Sequence, residues 1–194
     1  MQYKFKDINT VSNYISLLRV FLAFPLFIFV DKFEVSYSYR LMAFGMCILA
    51  YITDVLDGYL ARKLDQISEF GKIIDPLADK LCIILIVFKL YFAGHIPDYY
   101  FYIIVLRDVI IFTGGIFVTK KIGFVLPSNI LGKAAVVSIG FFIIGVILGA
   151  DAVPSIYNIL LYLSILMSFA SVIGYAYRGI EAIKWKKNET IQES

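Results

Sequence analysis

Long apolar runs, broken at intervals by short polar or turn-forming segments, dominate the chain. A helix needs about 20 mostly apolar residues to cross a bilayer core. Six runs answer to that pattern: residues 12–31, 40–62, 71–93, 99–118, 131–149 and 155–178. The break at residues 32–39 is polar. Those at Gly94-His95-Ile96-Pro97-Asp98 and Gly149-Ala150-Asp151-Ala152-Val153-Pro154 are rich in turn formers. The pattern predicts an all-α integral membrane bundle of six transmembrane helices. Ahead of the first run, Tyr3, Phe5 and Ile8 alternate with Lys4, Lys6 and Asp7, which predicts a short N-terminal amphipathic segment on the membrane surface. This stretch does not read as a cleavable signal, because no small-residue cleavage site precedes the further spans.

Composition sharpens this picture. The chain is 60% hydrophobic and 17% charged, with mean hydropathy +0.82. Soluble domains are about 45–50% apolar and about 25% charged. A length of 194 residues suits a single membrane domain over residues 1–194. Cys47 and Cys82 both lie in apolar runs and read as buried thiols rather than a disulfide framework. The net charge of +3 is small, and nothing in its pattern points to nucleic acid.

The distribution of charge is more informative than its sum. Lys4, Lys6, Arg62, Lys63, Lys72, Lys120, Lys121, Lys133, Arg178, Lys184, Lys186 and Lys187 fall on one side of the six-span layout. Lys32 and Arg40, offset by Asp31 and Glu34, fall on the other. Twelve against two predicts that both termini are cytoplasmic and that the site faces the cytoplasm from the cell (inner) membrane. Trp185 among Lys184, Lys186 and Lys187 reads as an interfacial anchor on anionic lipid. His95, the single histidine, falls in an external turn and is not expected to be catalytic.

Four aspartates sit in this apolar setting at fixed spacing: Asp54-x-x-Asp57-Gly58-x-x-Ala61-Arg62, then Gly71-x-x-x-Asp75-x-x-x-Asp79. A carboxylate at bilayer depth costs about 2.5–3.5 kcal/mol on insertion scales, so four need a reason. Positions three and four apart share a helix face. Two helices carrying two inward carboxylates each can therefore face one another, as in bundle-core metal sites. Four hard oxygen donors without His or Cys favour Mg²⁺ or Mn²⁺. Gly58 and Gly71 either leave room for a ligand beside the aspartates or allow close helix packing. Arg62 is either a phosphate fork or an interfacial anchor.

The run Thr53-Asp54-Val55-Leu56-Asp57-Gly58-Tyr59-Leu60-Ala61-Arg62 through Gly71-Lys72-Ile73-Ile74-Asp75-Pro76-Leu77-Ala78-Asp79-Lys80 resembles the signature of the CDP-alcohol phosphatidyltransferase family. All eight defined positions are present: four aspartates, two glycines, Ala61 and Arg62. The resemblance implies transfer from CDP-diacylglycerol to a hydroxyl acceptor with release of CMP. It implies two metal ions held by Asp54, Asp57, Asp75 and Asp79, with Asp79 also the catalytic base. It implies that Gly58, Ala61, Arg62 and Gly71 line the cytidine and pyrophosphate site, and that the enzyme is a homodimer. Two metals suit a displacement at phosphorus, because they clamp the attacking and leaving oxygens. A carboxylate beside divalent cations is a weak base, so metal contact with the acceptor hydroxyl is the other route to its activation.

The remaining charges bear on the acceptor. Arg107, Lys133 and Arg178 are expected to converge as an acceptor-binding pocket, and family members often place an acceptor-phosphate lysine at the start of span five. Arg107 and Asp108 are neighbours on span four and, lying on different helix faces, are expected to serve different partners. Relatives that use glycerol 3-phosphate commonly show Gly-Arg-Glu here, whereas Leu106-Arg107-Asp108 is more like the cardiolipin synthases, which use phosphatidylglycerol. The opening of span one, Asn13-Tyr14-Ile15-Ser16-Leu17-Leu18-Arg19, and the short tail favour glycerol 3-phosphate. A divalent-cation transporter is the reading from a different class, but it has no need of Gly58, Ala61, Arg62 and Gly71 at those offsets.

Overall fold

A computed structural model describes residues 11–63, 83–123 and 129–192, and among these every regular element is helical. The helices are α1 (Val11–Asp31), α2 (Tyr37–Lys63), α3 (Ile83–Phe92), α4 (Asp98–Ile122), α5 (Ile130–Leu148) and α6 (Pro154–Gln192). A 3-10 turn, Ala150–Ala152, separates α5 from α6. Each of the six apolar runs overlaps one of these helices. The spans Asp98–Ile122, Ile130–Leu148 and Pro154–Lys186 are long and apolar enough to cross a membrane. The amphipathic segment expected at residues 2–10 lies outside the described residues, as do residues 64–82. The chain forms two compact units, Met1–His95 and Ile96–Ser194.

In the first unit α1 and α2 pack as a hairpin across the turn at residues 32–36. Phe33, 1% exposed, anchors that turn. Arg40 donates from Nε to the Phe33 carbonyl at 3.2 Å, and its guanidinium lies 5.3 Å from the Phe33 ring centre. His95 packs its ring 4.8 Å from the same phenyl, with Nε2 3.0 Å from Glu34 Oε1. Lys89 of α3 pairs with Asp31 at the end of α1 and lies 5.2 Å from the Phe27 ring centre. These contacts bring the 32–36 turn and the end of α3 to one end of the unit. Lys89 is a charge that the span pattern leaves without a role. Its partner is Asp31, which the charge count treats only as an offset to Lys32 and Arg40.

The second unit is a three-helix assembly in which α6 packs against both α4 and α5. Gly123 ends α4 at φ 87° and donates its N–H to the Thr119 carbonyl. Lys120 and Lys121 in the last turn of α4 complement the helix dipole. Asn129 opens α5, its side chain accepting from Gly132 N at 2.6 Å. Pro97, Tyr100, Phe142 and Tyr157 gather at the opposite end, with ring centres 4.5 Å apart for Tyr100–Phe142 and 5.4 Å for Phe142–Tyr157. That end carries Asp98 and Asp151, whereas the other carries Lys120, Lys121, Lys133 and Arg178. The basic residues Lys120, Lys121, Lys133 and Arg178 therefore share one end of this unit.

The second unit buries small polar residues within its apolar core and exposes many large apolar ones. Ser164, Ser168 and Ser171 are at most 1% exposed, while Phe112, Phe141, Ile159, Leu166 and Ile173 are more than half exposed. In lipid, burying apolar surface between helices gains little, and close packing over small residues takes its place. Ser164, Ser168, Ser171 and Gly174 follow one another at helical spacing along one face of α6. Each serine donates back along its own helix: Ser164 to Leu161 O, Ser168 to Ser164 O and Ser171 to Ser168 O, at 2.7–2.8 Å. Ser164 Oγ also lies 2.9 Å from Tyr100 Oη, whose proton completes the pair.

The sequence pattern ends span six at residue 178, but α6 runs to Gln192. Residues 179–192 contain Glu, Ala, Lys and Gln, all strong helix formers, and no proline. At 1.5 Å per residue the 39-residue helix is roughly 58 Å long, well beyond a bilayer core of about 30 Å.

A Cβ at Gly174 would meet Leu131 Cδ1 at 2.8 Å and Asn129 Nδ2 at 2.9 Å, so α6 rests directly on the capped start of α5. At Gly140 a Cβ would meet nothing within 4 Å. Gly174→Leu is expected to destabilise the protein by about 1–3 kcal/mol, the usual cost of overpacking. Gly140→Ala is expected to be neutral or slightly stabilising. Thermal unfolding of both variants in detergent, followed by circular dichroism, checks the contrast.

Candidate active site

The aspartate signature begins on α2. Asp54, Asp57, Gly58, Ala61 and Arg62 occupy its last ten residues, on a helix unbroken to Lys63. Thr53, just before them, is buried and donates to Ala50 O at 2.8 Å, so the polar face starts from a satisfied hydroxyl. Asp54 and Asp57 are separated by roughly 4.5 Å of helix rise and share a face. Gly71, Asp75 and Asp79, the second half of the signature, lie outside the described residues. Among the described residues no three His, Cys, Asp or Glu side chains gather where they would hold a metal, as expected when two of the four carboxylates fall beyond them.

The three basic residues expected at the acceptor site all belong to the second unit, and all adjoin the first turn of α5. Lys133 stands on that turn, is exposed, and donates its N–H to Asn129 O at 3.2 Å. Arg178 lines an open groove of about 400 Å³ with Asn129, Ile130, Leu131, Gly174 and Tyr177. Arg107 approaches from α4 and is 9% exposed. Its Nη2 donates to Gly132 O at 3.4 Å, its Nε to Ser171 Oγ at 3.1 Å, and its Nη1 to Asp108 Oδ1 at 2.6 Å.

The last contact corrects the expectation that Arg107 and Asp108 serve different partners. Adjacent helix positions send their Cβ atoms to different faces, but that rule governs the start of a side chain and not its end. Arginine is long enough to curl, and here the guanidinium meets the neighbouring carboxylate while its other edges reach α5 and α6.

Sequence reasoning missed Ser171, Asn129 and Gly132. The buried serine stripe has a legible signal, small residues at helical spacing within an apolar span. Gly132 has none, because its part is played by a backbone carbonyl. Any side chain at Gly132 would place Cβ 2.9 Å from Asn129 Oδ1, so the tight cap and the glycine go together.

Comparison with known proteins adds the identity of the whole. The family model of the CDP-alcohol phosphatidyltransferases matches residues 9–173, which include every position of the aspartate signature, with Arg107 and Lys133. A CDP-diacylglycerol–glycerol-3-phosphate 3-phosphatidyltransferase of Aquifex aeolicus is 30% identical over 179 residues, 89% of this chain and 97% of the relative. The protein of the same name from Mycoplasma genitalium is 32% identical over 138 residues, 63% of this chain and 58% of the relative. That from Pseudomonas fluorescens is 44% identical over 73 residues, 38% of this chain and 36% of the relative. With the family match covering most of its length, and helices that suit a membrane, this chain belongs to the CDP-alcohol phosphatidyltransferase family.

Proposed function

We propose that this chain transfers the phosphatidyl group of CDP-diacylglycerol to a hydroxyl of glycerol 3-phosphate and releases CMP. The observation that carries the acceptor is the match to the Aquifex aeolicus relative over 97% of that protein, whose name states this acceptor. The complete eight-position signature supports the donor. The setting is a six-span, multi-pass protein of the cell (inner) membrane, acting as a homodimer, with both termini and the site facing the cytoplasm.

The residues divide by chemistry. Asp54, Asp57, Asp75 and Asp79 would hold two Mg²⁺ or Mn²⁺ ions. The fit rests on four hard oxygen donors, two of them one turn apart on unbroken α2. Bound there, the ions would supply charge neutralisation for the pyrophosphate and the departing nucleotide. Gly58, Ala61 and Gly71 leave the cytidine and pyrophosphate room beside the carboxylates, and Arg62 forks onto phosphate oxygens. Lys133 and Arg178 take the acceptor's phosphate, with Arg107 next to them at the start of α5. The acceptor oxygen forms a bond to the phosphatidyl phosphorus, and the bond from that phosphorus to the oxygen of CMP breaks. Asp79 receives the hydroxyl proton.

Purified protein in detergent with CDP-diacylglycerol, Mg²⁺ or Mn²⁺ and glycerol 3-phosphate is expected to release CMP, and chelation is expected to stop it. CMP release with phosphatidylglycerol but not glycerol 3-phosphate would identify the cardiolipin-synthase reaction instead. No release with either acceptor would refute the transferase reading for both. Asp57→Asn and Asp75→Asn are each expected to lower kcat by on the order of 10²–10³-fold, the scale of losing a principal electrostatic stabiliser. Near-normal turnover in either would remove that carboxylate from the metal site. For orientation, Lys184→Cys in a chain with Cys47 and Cys82 changed to Ser is expected to react with an impermeant maleimide in inside-out vesicles only. Labelling in right-side-out vesicles would reverse the assigned topology.

A further inference from the structure

Arg107 is the one buried cation among the described residues of the second unit whose bonds run to all three of its helices. Nε reaches Ser171 on α6, Nη2 reaches the Gly132 carbonyl on α5, and Nη1 is held by Asp108 on its own helix. Ser171 is itself fully buried and oriented by its bond to Ser168 O, so it presents its lone pairs to Arg107 from a fixed position. The peptide unit that Arg107 grips is held on its other side as well, because Gly132 N donates to Asn129 Oδ1. Lys133 follows in sequence, and Arg178 lines the groove that begins at Asn129. A guanidinium with three edges committed to protein, at 9% exposure, is built to hold helices in register rather than to meet a diffusing anion.

We infer that Arg107 is a positioning residue for acceptor binding: with Asp108 and Ser171 it clamps the first turn of α5 against α6 and so fixes Lys133 relative to Arg178. The inference rests on the reading that Lys133 and Arg178 take the acceptor's phosphate. Asp108 steers the fork by pairing with one edge, which leaves the remaining edges directed at Ser171 and Gly132. Lysine cannot replace this arrangement, since a point charge on a flexible stem lacks the planar set of donors.

The test compares Arg107→Lys, Asp108→Asn and Ser171→Ala in the full-length protein. Wild-type turnover of CDP-diacylglycerol with glycerol 3-phosphate comes first, and its absence would strike at the reaction assignment and not at the clamp. Arg107→Lys is expected to raise KM for glycerol 3-phosphate about tenfold, the factor for losing a hydrogen bond to a charged group. KM for CDP-diacylglycerol is expected to stay unchanged. Asp108→Asn and Ser171→Ala are expected to move the acceptor KM in the same direction, and the Arg107→Lys/Ser171→Ala double variant to be no worse than Arg107→Lys alone. Spin labels at Ile130→Cys and Tyr177→Cys, both exposed on the groove, give a readout independent of turnover. Their distance distribution by EPR is expected to broaden in Arg107→Lys.

Direct contact between Arg107 and the acceptor predicts the opposite for Asp108→Asn, because removing a carboxylate from beside a bound anion lowers KM or leaves it unchanged. That result, with the label distances unaltered, would overturn the clamp. A fall in thermal stability across the three variants with every KM unchanged would overturn it too, leaving Arg107 a purely structural residue.

Discussion

A guanidinium inside an apolar helical unit must find its hydrogen-bond partners in protein, because lipid offers none. Arg107 meets that demand with one partner on each helix of the second unit: Asp108 on α4, Gly132 on α5 and Ser171 on α6. Leaving a buried charge unsatisfied is far more costly than leaving a neutral group so. The three helices are thereby constrained to one mutual arrangement at this level. The capped start of α5 and Ser171 of the α6 serine stripe meet at this contact.

The packing around this contact follows from the same solvent. Leucine and phenylalanine gain little by leaving lipid for a helix interface, so many large apolar side chains face outward, while the serines of α6 are buried beside an apolar core that includes Tyr100, Phe142 and Leu161. Ser164, Ser168, Ser171 and Gly174 let α6 lie close to its neighbours, and each serine hydroxyl is satisfied along its own helix. Gly174 sits directly over Asn129 and Leu131, which joins the packing of α6 to the cap of α5. The cap is where the acceptor chemistry is proposed, so helix packing and substrate geometry share the same few residues.

Charge in this protein serves two ends. The carboxylates on α2 are proposed to hold cations, whereas Arg107 pairs with Asp108 and Lys89 pairs with Asp31. Sequence position alone does not separate the two kinds. Asp31 and Lys89 are far apart in the chain and read as unrelated until α1 and α3 are brought to one end of the first unit. Asp54 and Asp57 are recognisable because their spacing repeats a helical face within an apolar run.

Much of the protein was legible from its amino acids. Apolar runs, polar breaks and turn residues located the helices, since a bilayer sets their minimum length and a helix sets their period. The aspartate signature identified the family, because residue type and spacing are properties of local sequence. The bias of Lys and Arg anticipated the separation of charge between the ends of the second unit. Tertiary structure alone decided what Arg107 touches, because its partners are a neighbour reached by side-chain curl, a hydroxyl 64 positions away and a backbone carbonyl. It also extended α6 beyond residue 178, where hydropathy ends but helix-forming residues continue. Local sequence specifies which groups must be satisfied, and only the packed helices determine which groups satisfy them.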